Sequence, residues 1–180
     1  METMGLDMYL KKSKRVEGLS VDDYAKVQDE LPWKKEEYDF EAGLKALCPD
    51  IEGVEQLNDA VHEAGQYTKY LSLTQEIGYW RKANAVHSWF VENCQDGIDE
   101  CQLSEVSRED LEDLLEKCYN VVHKKSNPEE TLPPTSGFFF GSTEIDQYYM
   151  DDIKSTISIL ENAIGRTDWE KEIVFYRASW

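Results

Sequence analysis

The chain has 180 residues, about the length of one ordinary domain, with 37 acidic and 19 basic residues and a formal net charge of −18. Such a charge repels nucleic acid and anionic lipid and attracts basic surfaces, which disfavours a direct nucleic-acid binder. Hydrophobic residues form 41% of the chain and aromatic residues 12%, enough to build a core and too many for a disordered chain. We therefore predict a single domain over residues 1–180.

The cysteine pattern and the N-terminal residues indicate the cellular compartment. There is no C-x-x-C pair among the four cysteines, which are Cys48, Cys94, Cys101 and Cys118. Zinc knuckles and thioredoxin-type sites use such pairs, so we expect reduced, mostly buried thiols. The first residues lack the apolar core of a secretory signal, and no apolar run is long enough to span a membrane. We therefore expect a cytosolic protein.

The first third of the chain predicts a strand and several short helices. Apolar and polar residues alternate over residues 5–14, which is typical of a half-buried strand. Ser20 and Asp23 form a capping-box pattern for a helix that ends before the proline at position 32. Two further short helices are predicted up to Gly65, the second one capped by Asp50.

The middle of the chain predicts a strand followed by a central helix. Residues 67–74 are rich in Tyr, Thr and Leu, as strands are, and lead directly into the helix. Over residues 79–94 apolar positions recur every three or four residues, which predicts a core-facing helix at the centre of the fold. One face of that helix would consist of Tyr79, Ala83, Val86, Phe90 and Cys94.

The last part predicts an acidic loop, two helices and a strand. The loop over residues 95–106 precedes a helix that begins with a capping box at Ser107 and Asp110. Residues 143–146 are expected to cap the last long helix, whose apolar stripe starts at Ile145, and residues 171–180 should return as a strand. The fold class is therefore α+β, a small antiparallel sheet of the N-terminal and C-terminal strands covered by several helices.

No catalytic or metal-binding motif is present in the sequence. The histidines at positions 62, 87 and 123 are scattered, and H-E-x-x-H is absent. Paired carboxylates such as Asp151 and Asp152 arise by chance in an acidic chain. Acids near the cysteines disfavour a thiolate nucleophile. We predict no metal, no cofactor and no catalytic residue, and we expect His87 to be a hydrogen-bonded core histidine.

The stretch SGFFFGST over residues 136–143 precedes a helix in the manner of a glycine-rich phosphate loop. It has no P-loop lysine, and Glu144 and Asp146 would repel a phosphate. The glycines are expected to form a tight turn while the three phenylalanines anchor the loop in the core.

Acidic residues are concentrated in residues 92–116, where Arg108 is the sole base before position 117. Two interpretations stay open. The segment is either a solvated helix face with a loop, or an array of carboxylates that imitates a phosphate backbone and occupies a basic channel of another protein. The candidate partner-binding residues are Glu92, Asp96, Asp99, Glu100, Glu105, Glu109, Asp110, Glu112, Asp113 and Glu116.

Three stretches of the chain resemble a family of small acidic phage and prophage proteins. They are GLDMYL at residues 5–10, YWRKAN with the following His87 and WF at residues 79–90, and SGFFFGST at residues 136–143. The match spans both ends and the middle of the chain, and this family is similar to the phage anti-CRISPR inhibitors of Cas9. The motifs contain no catalytic signature.

The resemblance implies a phage-encoded protein of the bacterial host cytoplasm that is not an enzyme. It would bind Cas9, or its complex with guide RNA, stoichiometrically. Cas9 holds nucleic acid in positively charged channels, so an acidic surface could block DNA binding or cleavage. Arg81 and Lys82 leave a direct contact with DNA open. The alternative is a small phage enzyme or accessory factor with a site near His87 and the loop that runs from Ser136 to Thr143. A homo-oligomer formed through aromatic residues is a third possibility.

Overall fold

The structure, a computed structural model, describes residues 5–180, and it confirms an α+β fold of helices and short strands. The described residues group into two compact units. One consists of the residues up to 11, 76–167 and 174–180, and the other of residues 12–75 and 168–173. The single domain over residues 1–180 stays a prediction.

The elements in chain order are β1 (Asp7–Lys14), α1 (Val21–Glu30), a 3₁₀ helix (Lys35–Glu37), α2 (Gly43–Leu47), a 3₁₀ helix (Val54–Ala60), β2 (His62–Ala64), β3 (Tyr70–Ser72), β4 (Gln75–Arg81), α3 (Asn84–Cys94), β5 (Ser104–Val106), α4 (Arg108–Val122), α5 (Pro128–Thr131), α6 (Gln147–Arg166) and β6 (Glu172–Ser179).

The larger sheet has the strand order β4-β1-β6-β5, and most of its residues belong to the first unit. The predicted pairing of the N-terminal and C-terminal strands is confirmed, since β1 and β6 are neighbours in the sheet. The short strand β5, which the sequence predicted as loop, pairs antiparallel with β6 and places Glu105 opposite Phe175. Met8 and Leu10 of β1 are buried, as is Leu6 just before the strand, so the period-two pattern identified the correct inward face.

Helices α3, α4 and α6 belong to the same unit, and α4 packs along α6. The capping box of α4 is confirmed, because the Ser107 hydroxyl accepts from the Asp110 N–H and the Asp110 carboxylate accepts from the Ser107 N–H. Helix α6 begins after Asp146, whose carboxylate accepts from the Tyr149 N–H. Ile145 therefore precedes the helix, and its expected place in the apolar stripe was wrong.

The predicted helix over residues 79–94 was wrong in its first turn. Residues up to Arg81 belong to β4, in which Gly78 and Trp80 are buried while Tyr79 and Arg81 point outward. Lys82 then adopts a positive φ of 59°, which ends the strand and turns the chain into α3. The Trp80 indole N–H donates to the Thr156 hydroxyl of α6, a long-range contact that local spacing does not reveal.

The second unit contains α1, α2 and the β2–β3 hairpin. The Ser20–Asp23 capping box of α1 is confirmed, and the helix ends at Glu30, before the proline. The predicted helix with an Asp50 cap was wrong, because Gly53, with a φ of 80°, precedes a 3₁₀ helix instead. The chain then extends into β2, which pairs antiparallel with β3. The spacing of the apolar residues predicted a helix here, but His62–Ala64 forms a strand because it pairs with β3.

The close approach of β4 to α6 makes a first testable prediction. A Cβ at Gly78 would lie 2.5 Å from Ile159 Cγ2 and 3.2 Å from Leu10 Cβ, so Gly78→Ala must shift the Ile159 side chain or the backbone that carries it. We expect the free energy of unfolding to fall by about 1–3 kcal/mol in urea denaturation.

Gly165→Ala is the matched control. It lies in α6 with no atom within 4 Å of the added Cβ, so the variant should gain about 0.5 kcal/mol through its higher helix propensity. Equal stability of the two variants would contradict the packing argument.

Candidate functional site

The ten predicted partner-binding acids divide into an exposed set and a half-buried pair. Asp99 and Asp110 are half-buried, and each has a structural partner. The exposed set lies on α3, on α4, on β5 and in the intervening loop, and α3 packs against both β5 and α4. Its members are Glu92, Asp96, Glu100, Glu105, Glu109, Glu112, Asp113 and Glu116.

The outward face of α4 carries four of these acids within about one third of the helix circumference. Glu112 is bound by Arg108 at 2.7 Å, and Asp113 by Lys117 at 2.8 Å. Both pairs are i,i+4 pairs of exposed side chains, each worth only about 0.3–0.5 kcal/mol. The face is therefore acidic, though less so than a count of carboxylates alone indicates.

Asp99 belongs to a buried polar network that holds α3 against β6. His87 is 1% exposed, its Nδ1 lies 2.7 Å from the Tyr176 hydroxyl, and its Nε2 lies 3.0 Å from Asp99 Oδ2. The other Asp99 oxygen accepts from the Trp180 indole N–H at 3.2 Å. Burial raises the pKa of Tyr176 well above its usual value, and the Asp99 charge adds to the effect. In the tautomer with its proton on Nε2, the His87 ring accepts from the Tyr176 hydroxyl and donates to Asp99.

His87 is thus a buried histidine with both ring nitrogens bonded to protein groups, as the sequence led us to expect. The ring of Phe140 packs edge-on against it, with centroids 5.0 Å apart. This arrangement connects His87 to the loop over residues 136–143, the two features that the sequence placed together in the alternative site.

The loop over residues 136–143 is held by Asn84, which sequence reasoning missed. The Asn84 side-chain N–H₂ donates to the Phe140 and Ser142 carbonyls at 3.0 and 2.8 Å, and its oxygen accepts from the Thr135 N–H at 3.2 Å. Phe138 is 96% exposed, so the expectation that all three phenylalanines anchor the loop in the core was wrong. The sequence indicated a role for Asn84 only through its position at the start of a helix, where asparagine is common.

A cavity of about 290 Å³ lies where the chain passes from β4 into α3 and where α6 begins, all within the first unit. Its lining includes the cationic residues Arg81 and Lys82 and the acidic residues Glu144, Asp146 and Asp152. His87 is not among the lining residues, so the cavity is separate from the buried network.

Asp152 lines this cavity, and its pKa is strongly shifted. Burial raises its pKa to about 6, and the charges of Asp151 and Asp146 add to the shift. The sequence gave it no role beyond a chance pair with Asp151. A signal was present, because Asp152 lies three residues after buried Tyr149 and four before buried Thr156, on the inward side of α6.

Three further observations concern possible metal ligands, the cysteine thiols and the helices of residues 5–180. In this range no group of three or more His, Cys, Asp and Glu side chains is placed to hold a metal ion. Burial raises the pKa values of Cys94 and Cys118 to about 12, which disfavours their nucleophilic thiolate forms. Over the same residues every helix is too short or too polar to cross a membrane.

Comparisons of the chain with protein-family models, with curated proteins and with solved structures give no match.

The His87 network makes a stability prediction. His87→Ala leaves the Tyr176 hydroxyl buried without its partner and opens a cavity, so we expect a loss of about 2–4 kcal/mol in the free energy of unfolding. His62→Ala removes an exposed histidine and should change stability by less than about 0.5 kcal/mol. Similar losses in both variants would contradict the structural role of His87.

Asp152 makes a prediction about the pH dependence of stability. Its folded-state pKa of about 6 exceeds the ordinary value of 3.8, so the folded protein loses relative stability as the pH rises from about 4 to 6. Because Asp152 is half-exposed, solvent screening reduces the effect, and we expect Asp152→Asn to be more stable by about 1 kcal/mol at pH 8.

The difference should vanish near pH 4, which thermal unfolding across this range would measure. Asp50→Asn is the control, since Asp50 is exposed and lies outside the cavity lining, whereas the charge of Asp151 itself contributes to the raised pKa of Asp152. If the wild-type protein were more stable than Asp152→Asn at pH 8, the prediction would be contradicted.

Proposed function

We propose that this protein is a phage-encoded inhibitor that binds Cas9 stoichiometrically through its acidic surface and so prevents DNA binding or cleavage. The observation that supports the proposal is the set of exposed carboxylates on α3, β5 and α4, elements that pack against one another. The identity of the partner rests on the resemblance of the three sequence stretches to the phage inhibitor family.

The spacing of charge on α4 suits competition with a nucleic acid. The four acids Glu109, Glu112, Asp113 and Glu116 extend over about 10 Å of the helix axis. Duplex DNA presents about six phosphate charges over the same length. The α4 face alone is weaker than DNA, because Arg108 and Lys117 offset two of its acids, so the acids of α3 and β5 must contribute to the surface.

A basic channel would attract this surface before contact. Charges within about 10 Å of one another act together at ordinary ionic strength, since that distance is close to the Debye length. The net charge of −18 adds a long-range attraction that increases the association rate. Inhibition should therefore weaken with added salt, as DNA binding itself does.

The proposal is tested by charge reversal on α4. We expect the variant in which Glu109, Glu112, Asp113 and Glu116 are all replaced by Lys to lose at least about tenfold in inhibitory potency. The measurement is a titration of the protein against Cas9–guide RNA cleavage of a target DNA, paired with co-purification of the complex.

A matched control replaces four exposed acids of the other unit by Lys, namely Glu36, Glu37, Glu41 and Glu55. Both variants change the net charge equally, so a specific surface predicts that the control keeps its potency within about threefold. Lys at position 109 opposes the helix dipole, so thermal unfolding must confirm that the α4 variant is folded. Full potency of the folded α4 variant would reject the α4 surface, and no complex with any Cas9 would reject the proposal.

A further inference from the structure

We propose that Phe138 is the apolar anchor of the partner-binding surface and that it fills an apolar pocket bordered by basic residues on the partner protein. This inference rests on the proposed function, because the partner used in its test is Cas9. It adds a short-range apolar contact to a surface whose acidic residues act mainly through long-range attraction.

Phe138 lies in a turn whose shape is fixed by its own residues. The turn runs from Gly137 to Phe140, and the Phe140 N–H donates to the Gly137 carbonyl at 3.2 Å. The Phe140 ring packs over Gly137 so closely that a Cβ added to this glycine would lie 2.5 Å from Phe140 Cγ. The turn therefore needs glycine at its first position, and it presents Phe138 at its second.

The turn is also bound to the rest of the first unit. Asn84 donates to the Phe140 carbonyl at 3.0 Å. The Leu6 N–H, just before β1, donates to the Phe139 carbonyl at 3.2 Å. The Phe140 ring packs against buried His87. A turn held at this many points loses little conformational entropy when a partner binds, so its side chains are preorganised for contact.

Phe138 itself is 96% exposed, although the turn beneath it is fixed. Its ring lies edge-on to the ring of Phe139, with centroids 4.8 Å apart. A phenyl ring in water is unfavourable, and burial in a partner's pocket recovers this free energy. Single exposed apolar side chains are common on protein surfaces. A rigidly held aromatic ring, however, is the kind of side chain that is enriched at protein interfaces.

The turn adjoins the acidic surface. The rings of Phe140 and Trp180 are in contact, with centroids 6.3 Å apart, and the Trp180 indole N–H donates to Asp99. Asp99 lies in the loop between the exposed acids Asp96 and Glu100. Trp180 is itself 43% exposed, so an aromatic surface connects the turn to the acidic loop.

This combination of charge and apolar surface favours a basic protein as the partner. The net charge of −18 repels nucleic acid and anionic lipid. A second copy of the chain would bring two acidic surfaces together, so electrostatic repulsion opposes self-association here. A protein with an apolar pocket beside basic residues satisfies both parts of the surface, because the pocket receives Phe138 while the bases face the acids.

The experiment measures the binding of Phe138→Ala and of the wild-type protein to the Cas9–guide RNA complex, with rates from surface plasmon resonance at several salt concentrations. We expect Phe138→Ala to weaken the complex at least about tenfold, mainly through faster dissociation, and to keep the wild-type salt dependence. The α4 charge-reversal variant should instead reduce the salt dependence. Phe138→Leu keeps an apolar side chain and should lose less affinity than Phe138→Ala.

Tyr67→Ala is the matched control, since Tyr67 is a 93% exposed aromatic residue of the other unit. It should bind within about twofold of the wild-type protein. Both substitutions remove an exposed ring, and thermal unfolding of each variant confirms that it is folded.

Several outcomes would overturn the inference. Equal binding by folded Phe138→Ala and wild type would remove the anchor and leave the acidic surface as proposed. Equal weakening by Tyr67→Ala would indicate non-specific apolar contact. A wild-type dimer that Phe138→Ala abolishes in light scattering, or binding to phosphatidylcholine vesicles that this variant loses, would assign Phe138 to a different occupant. No complex with any Cas9 would reject the proposed function and the anchor together.

Discussion

The first unit depends on one buried histidine. His87 connects helix α3 to strand β6 through Tyr176 and to the acidic loop through Asp99, while Phe140 covers its ring. A polar group in such a place is tolerated only when every hydrogen-bonding atom has a partner. The network therefore fixes the positions of α3, β6 and the acidic loop at once.

Only some of the acidic residues in this part of the chain contribute to its surface charge. Of the ten acids concentrated in residues 92–116, Asp99 and Asp110 serve the fold, and two on α4 are offset by neighbouring bases. Some of these acidic residues thus accept hydrogen bonds within the fold, and the others produce a negative electrostatic potential at the surface. The outward set is the one that can act on a partner, and it is spread over three elements rather than confined to one helix.

The sequence predicted those features whose causes are local. The capping boxes at Ser20 and Ser107 were found because each is a hydrogen bond between residues three apart. The start of α3 was misplaced because residues 79–81 suit a helix as well as a strand, and the choice depends on the distant contacts of Gly78 and Trp80 with α6. The cavity at Asp152 escaped prediction for the same reason, since its pKa depends on what covers it in space.

Asn84 holds its loop in a way that bears on how the sequence can change over evolutionary time. The two groups that it donates to are the main-chain carbonyls of Phe140 and Ser142, which every amino acid possesses. The Asn84 amide itself both donates and accepts, a combination that aspartate and leucine, which match it in shape, do not provide. Substitutions can therefore accumulate along the loop and alter what its exposed side chains present, as long as position 84 keeps its amide.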